Sequence, residues 1–126
     1  MKKVVVISGT NHYEERARSV IEEYQKENKV IYLVSDFDHV TKKRYKIDVP
    51  CAQQLHVLEY KKNLSPARIL SHMLFSWKAY WKLCEIKPDI IYVEIPFNTL
   101  ATATKWYKCF HKCELIMDIF DMWPES

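Results

Sequence analysis

Lys3-Val4-Val5-Val6-Ile7-Ser8-Gly9-Thr10-Asn11-His12-Tyr13-Glu14 decides the fold. The β-branched run is apolar at consecutive positions, as a strand covered on both faces requires. It stops at Ser8, and Asn11 with Glu14 three positions on forms a capping-box-like helix start. Ala17, Val20, Ile21 and Tyr24 then fall at i, i+3, i+4 and i+7, one buried stripe. The rest of the chain continues this alternation. Residues 30–34 read as a second strand, 36–50 as a polar loop with a basic cluster (Lys42, Lys43, Arg44, Lys46), and 54–60 as a third strand near a sheet edge. Ser65-Pro66 caps and opens a helix running to about Glu85, whose stripe is Leu70, Met73, Leu74, Trp77, Trp81 and Cys84. Residues 89–95 form the fourth strand. Asn98 or Thr99 caps a third helix to about Lys112, and residues 114–120 form the fifth strand.

Strands joined by helices of ten or more residues imply right-handed crossovers and a parallel sheet. The expected fold class is therefore α/β: a Rossmann-like, doubly wound parallel sheet of about five strands in the order 3-2-1-4-5. The 126 residues suit one domain, 1–126. The fifth strand has no covering helix after it, so the expectation is a fragment of a longer protein.

Composition narrows the function. Average usage of ~7% predicts about nine glycines; the chain has one. That scarcity argues against a glycine-rich phosphate cradle. The net charge of +3 is too small for a typical nucleic-acid binder. Four cysteines in a core-forming chain read as reduced thiols. The apolar run after Met1-Lys2-Lys3 is too short for a signal peptide, and no stretch reaches the ~18 apolar residues of a membrane span. A cytoplasmic protein, soluble or peripheral on a membrane, is expected.

In this topology ligands bind beyond the carboxyl ends of the strands, where the strand order reverses. The first and fourth strands flank that point. It nominates Gly9, Thr10, Asn11, His12 and Arg16 on the first loop and helix start, and Glu94 and Asn98 after the fourth strand. A helix N-terminus there attracts anions, and Gly9 permits close backbone approach. The loop matches neither G-x-G-x-x-G nor the P-loop pattern. Asp36-Phe37-Asp38 could hold a divalent ion or a ribose, but a solvated loop acid is the simpler account. In Cys109-x-His111-x-Cys113, helical geometry sends His111 away from both cysteines, so no metal site is expected. Glu14-x7-Glu22 and Glu15-x7-Glu23 read as a solvated helix face. Phe75 and Trp77 beside Lys78 and Lys82 suit a membrane surface carrying anionic lipid, while the same aromatic stripe suits a buried helix.

The segments Lys87-Pro88-Asp89-Ile90-Ile91-Tyr92-Val93, Ile95-Pro96 and Leu115-Ile116-Met117-Asp118-Ile119-Phe120-Asp121-Met122-Trp123-Pro124-Glu125-Ser126 resemble the amino-terminal half of bacterial family 4 glycosyltransferases. These are GT-B enzymes of capsular polysaccharide, O-antigen and exopolysaccharide biosynthesis. Thr10-Asn11-His12-Tyr13 with Glu15-Arg16-Ala17 is similar to the first loop of one subgroup. The resemblance implies a retaining transfer of a sugar from a nucleotide-sugar to a lipid-linked acceptor held by this domain. It also implies a carboxy-terminal donor-binding domain, which would hold the nucleotide-sugar, and a catalytic role for Asp121. No cofactor is expected on this domain. Where many relatives carry a histidine, this chain has Phe120, so no catalytic histidine is carried over. The rivals are a non-catalytic, membrane-associated subunit of a split transferase and a small nucleotide-binding Rossmann protein. A phosphorylation receiver would need acids after the first strand, and Ser8-Gly9-Thr10 supplies none.

Overall fold

The computed structural model describes residues 2–8, 14–38, 43–44, 51–57, 66–95 and 98–119. Along the chain run β1 (Lys3–Ser8), α1 (Glu14–Gln25), β2 (Lys29–Ser35), β3 (Phe37–Asp38), β4 (Lys43–Arg44), β5 (Ala52–Leu55), α2 (Pro66–Ile86), β6 (Ile90–Ile95), α3 (Asn98–Phe110) and β7 (Glu114–Ile119). Five strands form one parallel sheet in the order β5-β2-β1-β6-β7. This is the 3-2-1-4-5 order of a Rossmann-like α/β sheet, as the strand–helix alternation requires.

β1 is the central strand and is apolar throughout its core, with Val4, Val5, Val6 and Ile7 fully buried. Its residues alternate between two cores because successive strand side chains face opposite ways. Val4 and Val6 join Ala17, Ile21, Tyr32 and Val34 beneath α1. Val5 and Ile7 join Leu33, Ile91 and Val93 beneath α2 and α3, where Phe75, Ala79, Leu83, Leu100 and Tyr107 complete the layer.

Three local expectations are corrected. The third parallel strand is Ala52–Leu55, earlier than the 54–60 read from the sequence; residues 58–60 lie outside the described part. The loop after β2 holds a small antiparallel ribbon, Phe37 opposite Arg44 and Asp38 opposite Lys43. The largest correction concerns α2. Most of the stripe that reads as its core face points outward: Leu70 is 53% exposed, Met73 51%, Trp77 63% and Trp81 59%, while half-buried Cys84 packs against the core as read. The buried face is instead Ser71, Phe75, Ser76, Ala79 and Leu83. Both faces have helical spacing, so periodicity alone could not choose between them. The buried face of α2 seats Phe75 and Leu83 with the small Ser71, Ser76 and Ala79 between them.

The segment between α2 and β6 is built without glycine. Lys87 takes a left-handed conformation, φ 56°, where a helix C-terminus most often places glycine. Its N–H donates to the Leu83 carbonyl at 2.8 Å, and buried Pro88 then prevents continuation. Asp89 clamps the sheet: its N–H donates to the Lys3 carbonyl, and its carboxylate accepts from the Lys3 N–H, both at 2.9 Å.

Phe75→Ala and Leu83→Ala should each lower stability by about 2–5 kcal/mol, whereas Leu70→Ala in dilute solution should stay within about 0.5 kcal/mol. Urea denaturation checks the contrast, and equal losses at positions 70 and 75 would refute the inverted stripe. Burial, reinforced by Cys113, Cys84 and Tyr80, pushes the Tyr107 phenol up to about 12. A raised folded-state value means that the unfolded chain loses this proton first. The Tyr107 contribution is therefore intact below pH ~10 and lost as pH rises towards ~12. Stability measured across that window should fall less steeply in Tyr107→Phe once its baseline loss is subtracted.

Candidate functional site

The strand order reverses between β1 and β6, so the crevice expected for this topology lies at their carboxyl ends. Register builds that edge. Ser8 is paired with Glu94, and Glu94 with Asp118. Paired residues of parallel neighbours point to the same side of the sheet. Val6 and Tyr92 are two residues earlier on the α1 side, so Ser8, Glu94 and Asp118 share that side.

The polar groups of this row bond to one another. The Ser8 hydroxyl donates to Glu94 Oε1, and both residues are 1% exposed. The half-buried Tyr92 hydroxyl donates to Asp118 Oδ2. Burying a carboxylate is costly unless it is hydrogen-bonded, so Ser8 and Glu94 are a matched pair. Glu94 thus sits at the switch point where the sequence put it, though under cover rather than lining an open surface. Tyr92 and Asp118 were not singled out by the sequence, since a tyrosine and an aspartate on separate strands show no spacing signal. Only the β6–β7 register joins them.

The other nominated residues divide in two. Gly9, Thr10, Asn11, His12 and Asp121 lie outside the described residues. Arg16 falls in the first turn of α1, and Asn98 is the first residue of α3; these are backbone placements only. Both helices start just beyond a central strand's carboxyl end, where a helix N-terminus favours anions.

A second polar group closes the far side of the edge. The Asp36 carboxylate meets His56 Nδ1 at 2.9 Å and accepts from the Val57 N–H at 3.2 Å. Lys78 Nζ donates to the His56 carbonyl at 2.6 Å. Asp36, read as a loop acid or ion ligand, therefore ties the end of β2 to the end of β5. The Asp38 side chain is outside the described part.

The surface set is revised. Phe75 was grouped with residues facing a membrane, but it is 1% exposed and belongs to the core beneath α2. Trp77 is exposed, in line with the surface alternative and against its place in the buried stripe. Lys78 turns onto the His56 carbonyl, and Lys82 Nζ lies 3.9 Å from Glu85. No helix among the described residues is long and apolar enough to cross a membrane. Near the end of α3, His111 stacks on Tyr107 with centroids 4.2 Å apart. Burial pushes the Cys113 thiol up, opposed by Lys108, which keeps it protonated and a poor nucleophile near neutral pH.

No protein-family model matches the chain. No curated protein matches it either. Among solved structures it is similar to the pantoate-beta-alanine ligase of Francisella tularensis, determined with beta-gamma ATP and beta-alanine. The match has 15% identity and a TM-score of 0.48, covering 98% of this chain and 60% of the ligase chain. At that similarity the comparison assigns no function.

Ser8→Ala should cost about 1–3 kcal/mol by removing the hydroxyl that donates to the buried Glu94 carboxyl. Adding Glu94→Gln should recover part of that loss, because a neutral amide is less costly to bury than a carboxylate. Chemical denaturation of the single and double variants checks this, and additive losses would mean that the two groups act independently.

Proposed function

We propose that the chain is the acceptor-binding amino-terminal domain of a retaining glycosyltransferase that moves a sugar from a nucleotide-sugar to a lipid-linked polysaccharide precursor. The observation that carries this reading is where the resemblance falls. Residues 87–96 and 115–126 take in β6 and all but the first residue of β7, the two strands on one side of the switch point. The resemblance and the topological argument are independent of each other, and each supports a site at the carboxyl edge of the sheet.

On this reading Gly9, Thr10, Asn11, His12 and Arg16 approach the donor diphosphate. The N-terminus of α1 stabilises the charge that develops on that leaving group. Asn98 and the Glu94 edge border the acceptor, and Asp121 is the catalytic carboxylate of this half. The donor sugar is held by a carboxy-terminal domain. A lipid-linked acceptor puts the enzyme at the inner face of the plasma membrane, and the basic cluster Lys42, Lys43, Arg44 and Lys46 is suited to its anionic lipid. The reading invokes neither a metal nor a resident cofactor on this domain.

The purified 126-residue chain should not turn over nucleotide-sugars by itself. It should bind an isoprenyl-diphosphate sugar in calorimetric titration, and Asp121→Asn should weaken that binding about ten-fold or more, as loss of a charged hydrogen bond does. Turnover by the chain alone would sink the proposal. Saturable binding of NAD with no response to the lipid-linked sugar would also sink it and favour a small nucleotide-binding Rossmann protein.

A further inference from the structure

A helix lying on a sheet ordinarily turns a polar face outward; α2 does the opposite, and α3 adds Trp106 and Phe110 beside it. Seven large apolar side chains, including Leu70, Met73, Trp77, Trp81, Trp106 and Phe110, are 51–66% exposed. They form one surface. Trp77, Tyr80 and Trp81 of α2 and Ala103 and Trp106 of α3 line a shared groove of about 330 Å³. The Trp106 and Phe110 rings lie 5.7 Å apart. From the sizes of these side chains, roughly 800 Å² of apolar surface is open. That exceeds the ~300–600 Å² of the largest patch on a typical monomer and reaches the ~800 Å² that each partner buries in a stable complex.

Charge identifies the kind of partner. The neighbouring ammonium groups turn onto their own chain: Lys78 to the His56 carbonyl at 2.6 Å, Lys108 to the Cys113 carbonyl at 3.4 Å, and Lys82 towards Glu85 at 3.9 Å. The groove at the centre of the face is lined by no charged residue, and the face carries three tryptophans, a phenylalanine and a methionine, the composition of a protein–protein interface core rather than of an anionic-lipid contact. Its spacing is that of a helix pair. The exposed side chains Leu70, Met73, Trp77 and Trp81 follow one another at intervals of three, four and four, one helix face along which a second helix can interlock. A ridge of indoles beside a groove of matching chemistry is self-complementary under a two-fold axis.

We propose that a second copy of this chain covers the α2–α3 face. The two α2 helices pack antiparallel across a two-fold axis near Trp77, and the Trp81 ridge of each copy enters the groove of the other. This inference does not depend on the transferase reading, because it uses neither the strand edge nor its loops.

Light scattering and sedimentation equilibrium on the purified chain should give twice the 15.1 kDa chain mass. Trp77→Glu and Met73→Glu, both at exposed positions, should each return the mass to that of one chain with an unchanged far-UV spectrum. Lys105→Glu, off the seam, should leave the dimer intact. A single-chain mass at every concentration would overturn the proposal, as would a mass that grows without limit or a dimer that survives both seam substitutions. A monomer that instead binds phosphatidylcholine or phosphatidylglycerol vesicles through Trp77 would overturn it too and give the face to a bilayer.

Discussion

The fold depends on β1 being paired on both sides. It bonds to β2 over the whole of Lys3–Ser8 and to β6 from Val4 to Ser8. Removing β1 would separate β5 and β2 from β6 and β7, and the two cores would lose their shared wall. That constraint explains its composition. A strand flanked by strands and covered above and below has no position for a charged side chain away from its ends, and Val4 to Ile7 supply none. It also explains the site. The strand whose two neighbours belong to opposite crossover directions is the one whose carboxyl end opens a crevice.

Much of this was legible in the residues. The apolar run Val4–Ile7 and the Ser65-Pro66 helix start are local signals, and strand order follows from them through crossover handedness. Where sequence reasoning failed, the deciding term was tertiary. On α2, Leu70, Met73, Trp77 and Trp81 outweigh Phe75, Ala79 and Leu83 in hydrophobicity, yet the latter are buried. Hydrophobicity ranks the faces, but the fit against the sheet selects among them, and Ala79 beneath a helix can approach the strands more closely than Trp77 could. The strong outward stripe was correctly seen as apolar and wrongly placed.

The candidate site was legible to a different degree. Glu94 could be nominated because it follows four core residues on a switch-point strand. Its Ser8 partner lies 86 positions away and emerges only from register. The same is true of Tyr92 with Asp118 and of Asp36 with His56. These pairs show why isolated titratable residues looked bland. Each is half of a hydrogen bond whose other half lies on another strand or just past its end, and a buried polar group acquires meaning only with its partner. The carboxyl edge is thus tied by three such pairs.

The two links between β1 and β6 carry a consequence for the order of assembly. Lys3–Asp89 and Ser8–Glu94 both close spans of 86 residues. Until β6 has emerged during synthesis, the central strand has only one neighbour, and one edge of the chain's most apolar segment stays open. Parallel pairing over such separations is slow because the intervening loop must close first. The nascent chain therefore carries an unpaired valine-rich edge until β6 has been made, and chaperone demand should be set by this interval more than by the stability of the finished sheet.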